Sequence, residues 1–371
     1  MAINLLFRMK NTMTAIILAS TSLLYSCQKD ETTVTQYRAL VVTDDLSIGR
    51  VLFYDNKLSV DNKTACASCH HQEFAFADNK AFSDGFGIKK SARNTIAIQN
   101  LGPSFVSFGF PVPGFSGNRN GFFWDGREKN LNKLMLEPIV NHREMGILDL
   151  EDLCNRLENI DYYQELFQRD YNTTTITPDL IAGELESFVT KIRTNSRFDQ
   201  RMGAGLPGGN TSFTDIEELG MKLFFNKYNC SQCHMEQNPG GGYQGDSVQS
   251  FGGFADIGLP NVTDPGLGAV TGKTQDNGRF RIPALRNVAL TAPYMHDGSI
   301  QSLDAVLEHY STGIEGHGNL DRRLKDEFGA PKRFNISKAE KEAIIAFLHT
   351  MTDYNMIKDP MLSDPFIVVE K

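Results

Sequence analysis

The sequence has no excess of positive charge. It sets 37 Lys and Arg against 45 Asp and Glu, a formal net charge of −8, which argues against an electrostatic nucleic-acid binder. Long apolar runs are also missing, since the one candidate, residues 13–24, is too short for a secure membrane-spanning helix. A phosphate loop is absent too: Gly272-Lys273-Thr274 resembles the end of one, but the glycine required five residues earlier is Leu267. Tryptophan occurs once, at Trp124, and cysteine only six times. Four of those cysteines fall in two short pairs, which leaves Cys27 and Cys154 and no basis for a disulfide framework. Cys154 lies in the helical pattern of residues 150–157 and reads as a small buried apolar side chain.

What the sequence does have is one pentapeptide twice, Cys66-Ala67-Ser68-Cys69-His70 and Cys230-Ser231-Gln232-Cys233-His234. Thiols at i and i+3 can form thioethers to the two vinyl groups of a haem while the adjacent imidazole reaches the iron, so each copy is a c-type haem attachment pattern. Two copies point to two covalently bound haem c groups, with His70 and His234 as iron ligands. The competing reading is one zinc ion held by both cysteine pairs, although structural zinc usually draws on pairs much closer in sequence. At 371 residues the chain has room for one domain per haem.

The N-terminus reads as a targeting segment. Arg8 and Lys10 precede the apolar run, which ends in Leu24-Tyr25-Ser26-Cys27, the pattern of a lipoprotein signal peptide over residues 1–26 with Cys27 as the lipidated residue. Tyr25 stands where a small residue is usual, and simple signal cleavage is the alternative. Either way the chain is exported to the periplasm, in keeping with haem c, which is attached on the far side of the bacterial inner membrane. Gln28, which is not an Asp, favours the outer membrane for the lipid anchor. Loss of the signal removes two positive charges and takes the balance from −8 to −10, an acidic surface suited to a basic redox partner. Residues 27–45 are polar and without period, and form a tether.

The rest is mainly α, two cytochrome-c-like haem domains with long irregular loops. Each domain opens on a helix with the same signature, Leu46-Ser-Ile-Gly49-Arg-Val-Leu52-Phe53 and Glu217-Glu-Leu-Gly220-Met-Lys-Leu223-Phe224, and each glycine should admit a second helix at close range. The partners are a helix over 179–194, opened by Thr177-Pro178, and one opened by the capping box Ser337-Lys-Ala-Glu340. The domains span 46–201 and 214–371, joined by a glycine-rich linker over 202–213. Pro239–Gly245 is a haem-edge loop.

Phe123-Trp124-Asp125-Gly126-Arg127, Asn141-His142-Arg143-Glu144-Met145-Gly146, Phe280-Arg-Ile-Pro-Ala-Leu-Arg-Asn287 and Thr291-Ala-Pro-Tyr-Met-His-Asp-Gly298 together resemble the bacterial dihaem cytochrome c peroxidase family. The resemblance covers most of the chain from Leu46 to Tyr354. It implies reduction of H2O2 to water at the first haem, with electrons entering at the second from a small periplasmic cytochrome c or cupredoxin. It places Trp124 between the haems as an electron relay and Glu144 over the first haem, where a carboxylate can take a proton from peroxide and return it. It also implies a Ca2+ ion held by Asn94 and the carbonyls of Thr291 and Pro293, oxygen donors of the kind this ion prefers. Family members are commonly homodimers.

Three departures bear on function. Many members carry a His about sixteen residues beyond the first pentapeptide, which blocks the first iron until the second is reduced. Here Ser83-Asp-Gly-Phe86-Gly-Ile has none, so the first site is expected to be open at rest. The Met that ligates the second iron in the peroxidases falls at Tyr310, which resembles the methylamine dehydrogenase maturation enzymes, dihaem relatives that use peroxide to oxidise another protein. Met295 and His309 compete with Tyr310 for that position. Leu134 stands where the family's distal pocket often has a Gln. Peroxide-driven oxidation of a protein or organic substrate is therefore a second functional reading, and a dihaem electron carrier with two six-coordinate irons is a third.

Overall fold

The computed structural model describes residues 36–101, 121–202, 211–234, 253–261 and 263–370. The signal segment with Cys27, the start of the tether, most of the linker and the Pro239–Gly245 loop lie outside the described residues. Most of a two-stranded sheet of strands β1 (Gln36–Ala39) and β4 (Ile367–Glu370) belongs to a small unit separate from the main one.

The main unit is helical. Its first half carries α1 (Ile48–Tyr54), α2 (Leu131–Val140), α3 (Leu150–Glu158), α4 (Asp161–Tyr171), α5 (Pro178–Val189) and α6 (Arg197–Met202). Side-chain oxygens of Asn130, Asp149 and Thr177 accept backbone N–H groups at the starts of α2, α3 and α5, which fixes where those helices begin. The second half carries α7 (Asp215–Lys222), α8 (Ser231–His234), α9 (Leu267–Thr271), α10 (Leu303–Glu308) and α11 (Lys338–His349). Reciprocal capping boxes, Thr214 with Glu217 and Ser337 with Glu340, start α7 and α11. The only other strands among the described residues, β2 (Phe254–Ala255) and β3 (Phe280–Arg281), pair antiparallel. No helix among them is long and apolar enough to cross a membrane.

The glycine repeat has the packing role its spacing implies. A Cβ on Gly49 would lie 1.9 Å from the carbonyl oxygen of Glu184 in α5, and one on Gly220 would lie 1.9 Å from that of Ala343 in α11. One ring of each opening helix then meets a ring of its partner, Phe53 with Phe188 at 5.0 Å and Phe224 with Phe347 at 5.4 Å. Each pair centres one of the two larger hydrophobic cores, and Cys154 is buried in the first.

Two expectations are adjusted. The α5 helix stops at Val189, short of Thr194, because Asn100 captures the following turn: its N–H donates to Ile192 O and its side chain bonds Thr194. The C-terminal end does not stay with the second half. Met356 and Leu362 are buried in the first core, and the Tyr54 hydroxyl donates to Leu362 O. The chain therefore returns to close the first half.

Candidate active site

Both attachment segments present their histidine in the same way. His70 Nδ1 lies 2.8 Å from Phe76 O, a carbonyl turned toward the ring by left-handed backbone at Ala75 and Phe76. His234 Nδ1 lies 3.0 Å from Pro283 O. A carbonyl can only accept, so each Nδ1 carries the proton and each Nε2 is left with its lone pair, as an iron ligand requires. Burial pushes both imidazoles down to about 4, which keeps them neutral. Burial likewise raises the thiols of Cys66, Cys69 and Cys230 to about 12. The zinc reading fails, since no group of three or more His, Cys, Asp or Glu among the described residues could hold a metal ion. These donor sets fit covalent haem, which Cys66, Cys69 and His70 and Cys230, Cys233 and His234 would hold and which would supply a redox-active iron at each segment.

The second attachment segment opens onto a cavity of about 450 Å³, lined by Cys230, Cys233, His234 and a largely apolar wall that includes Phe280 and Leu348. Tyr310 faces it from a π-helical turn, His309–Gly313, that continues α10; such turns often re-aim functional side chains. Burial, with smaller contributions from the nearby cysteines, raises its phenol above the usual range, and its hydroxyl has no hydrogen-bond partner among the described residues. His309 is tied up elsewhere, donating through Nε2 to Ile257 O at 2.9 Å. Met295 lies on the cavity wall as well, with φ of 74°.

On the first side, Glu144 is the half-buried group of interest. Its loop is clamped to the end of α2 by Met145 N to Pro138 O and Ile147 N to Ile139 O, while Asn141 Nδ2 donates to Glu144 Oε1 at 2.8 Å. Burial raises its carboxyl to about 7, opposed by Arg127 and reinforced by Glu137. Asp84, two residues before Phe86, accepts from Cys69 Sγ through its carbonyl at 3.9 Å, which ties the first attachment segment to the stretch that packs on this loop. The segment without histidine is docked against this loop. Phe86 N donates to Glu144 O at 2.8 Å, and the Phe86 ring lies where a Cβ on Gly146 would be, 2.3 Å away. Leu134 is buried in α2.

Trp124 is buried on the wall of the cavity at the second attachment segment, and its Nε1 donates to Asn94 O at 2.8 Å. An ion-pair chain holds its neighbours: Arg93 bonds Asp125 at 2.5 Å and Asp264 at 2.7 Å, and Arg127 joins Asp125 at 3.1 Å to Glu137 at 3.3 Å. Asn94, Thr291 and Pro293 all line this cavity. Asn94 commits its amide nitrogen to the carbonyls of Lys80 and Ala81, which leaves its side-chain oxygen as the available donor atom. The sequence did not single out Asn141 or Arg127 as separate participants. Their offset from Glu144 gave no signal, because the loop conformation alone makes them neighbours.

Residues 43–205 match the family model described as di-haem cytochrome c peroxidase. The methylamine utilization protein MauG of Methylophilus methylotrophus is 28% identical over 324 residues, covering 86% of this chain and 85% of that protein. The cytochrome c551 peroxidase of Nitrosomonas europaea is 29% identical over 322 residues, covering 86% of this chain and 83% of its own. Among solved structures, a MauG-like protein associated with microbial copper homeostasis superposes with a TM-score of 0.69 at 28% identity, covering 88% of this chain and 94% of that one.

Proposed function

The chain belongs to the dihaem cytochrome c peroxidase family and is a peroxidase, and from that premise we propose that its first haem site reduces H2O2 with Glu144 as the proton-handling group. The observation that carries the assignment is the Glu144 carboxyl, raised to about 7 by burial and held by Asn141 beside the first attachment segment. A carboxyl poised near neutrality can take a proton from the attacking oxygen and give it to the leaving one. His70, with its Nδ1 held by Phe76 O, would hold the iron of the first haem through Nε2. When bound, the haems supply the redox chemistry at iron.

Trp124, which lines the same cavity as His234 and Tyr310, would relay electrons between the two sites, and His234 and Tyr310 would hold the second haem. A phenol without another partner, facing the cavity, supports Tyr310 over His309. The donor is a small periplasmic cytochrome c or cupredoxin, and the protein is exported and anchored through Cys27. The side-chain oxygen of Asn94 and the carbonyls of Thr291 and Pro293, residues that all line this cavity, would hold a Ca2+ ion. Tyr310 also favours a second reading, peroxide-driven oxidation of a protein or organic substrate, because an anionic phenolate stabilises oxidised iron and makes the second haem a poor acceptor from an ordinary cytochrome c.

Peroxide-dependent oxidation of reduced small cytochromes c tests the reading, with the enzyme either fully oxidised or pre-reduced by one electron. Turnover in both states is the expected result, since Phe86 occupies the segment that would carry a blocking histidine. No turnover in either state would transfer the assignment to the second reading.

A further inference from the structure

We infer that Arg281 is the counter-charge for a carboxylate of the second haem and holds that carboxylate ionised beside Trp124. This rests on the assignment of a haem to Cys230, Cys233 and His234, because haem c carries two propionate side chains that must be accommodated somewhere. Arg281 lies on β3, is only 9% exposed, and lines the same cavity as those three residues. Its Nε is buried with no hydrogen-bond partner, and no ion pair joins its guanidinium among the described residues.

The other charged side chains on that wall are already committed. Arg286 is paired with Asp199 at 2.6 Å, Arg323 with Asp321 at 2.8 Å, and Lys227 with Glu340, while Lys332 donates to Arg323 O at 2.9 Å. His296 stacks on Phe280 at 3.6 Å. An unpaired guanidinium out of water is strongly destabilising, so a buried one facing a ligand cavity calls for an anion in that cavity. Burial lowers Arg281 to about 10, which still leaves it charged at neutral pH. The same residue positions the relay, since its backbone N donates to Trp124 O at 2.7 Å.

The test compares the purified holoenzyme with Arg281→Gln and Arg281→Lys by spectroelectrochemical titration of the second haem between about pH 5 and 9, after haem content has been measured. We expect the potential of the wild-type second haem to be flat with pH, that of the Gln variant to be lower and to acquire a proton-linked step, and the Lys variant to restore the flat profile. A Gln variant that follows the wild type at every pH overturns the inference and leaves the haem assignment standing. A wild-type protein without haem at Cys230 and Cys233 overturns both. Should the Gln variant fail to mature, resonance Raman spectra of the Lys variant decide: a shifted propionate bending band supports the pairing, and an unchanged one refutes it.

Discussion

In the first half Gly49 lets α1 meet Glu184 of α5, and in the second Gly220 lets α7 meet Ala343 of α11, with the same clearance and the same ring contact beyond. The proximal histidines match too, each tied through Nδ1 to a backbone carbonyl. The halves part on the far side. The first has a carboxyl near neutrality with an amide donor and a nearby arginine, and the second has a phenol facing an apolar cavity. The shared half of each site is what attachment demands, and the divergent half is where the proposed proton-handling role of Glu144 would separate from the proposed role of Tyr310 at the second haem.

The largest test of that contrast is Glu144→Gln. Removing the base should lower peroxide turnover by about 10²–10⁴-fold, with haem content and the spectrum of the second haem unchanged. With the carboxyl at about 7, the group is an acid below that pH and a base above it, so peroxide reaction in the wild type should accelerate as pH rises through about 7. The variant should lose that rise in stopped-flow measurements. A variant that keeps both rate and pH dependence would remove the distinction between the halves.

Next come the paired substitutions Gly49→Ala and Gly220→Ala. Each puts a methyl group 1.9 Å from a carbonyl oxygen, so one helix must withdraw. Each should cost at least about 1–3 kcal/mol in denaturant unfolding, the range for overpacking a core. If only one of the pair destabilises, the structural repeat is not an energetic one.

Tyr310→Met should act on the second half alone. Exchanging the phenol for a thioether should raise the potential of the second haem and change its low-spin spectrum while the first haem keeps its own. If the spectrum is unmoved, Met295, which shares the wall, is the ligand.

Much of this arrangement was legible because it is local or repeated. Attachment depends on residues three and four apart, and helix starts depend on caps such as Thr177 and Ser337, so both are written in short windows. The close approach at Gly49 and Gly220 could be read because it occurs twice. The return of Met356 and Leu362 to the first core could not, since nothing in that tail names its distant partner. Arg281 was equally silent: within Phe280-Arg-Ile-Pro it is one more motif residue, and only the folded wall reveals a buried cation without a counter-charge.

The smallest expected effects concern how finely the first half tunes its carboxyl, and they differ in sign. Asn141 donates to Glu144 Oε1 and so favours the ionised form. Asn141→Leu should therefore move the pH midpoint of peroxide reaction upward. Glu137 opposes ionisation of Glu144 through its charge and also occupies Arg127, which favours it. Glu137→Gln should move the midpoint downward, because a like charge is removed and the arginine is freed. Each shift should be about one pH unit or less, as for neighbours that perturb a carboxyl set mainly by burial. The second half, whose phenol has no hydrogen-bonded neighbour among the described residues, should show no such pair of opposed shifts; a midpoint that moves in neither variant would mean that burial alone sets Glu144.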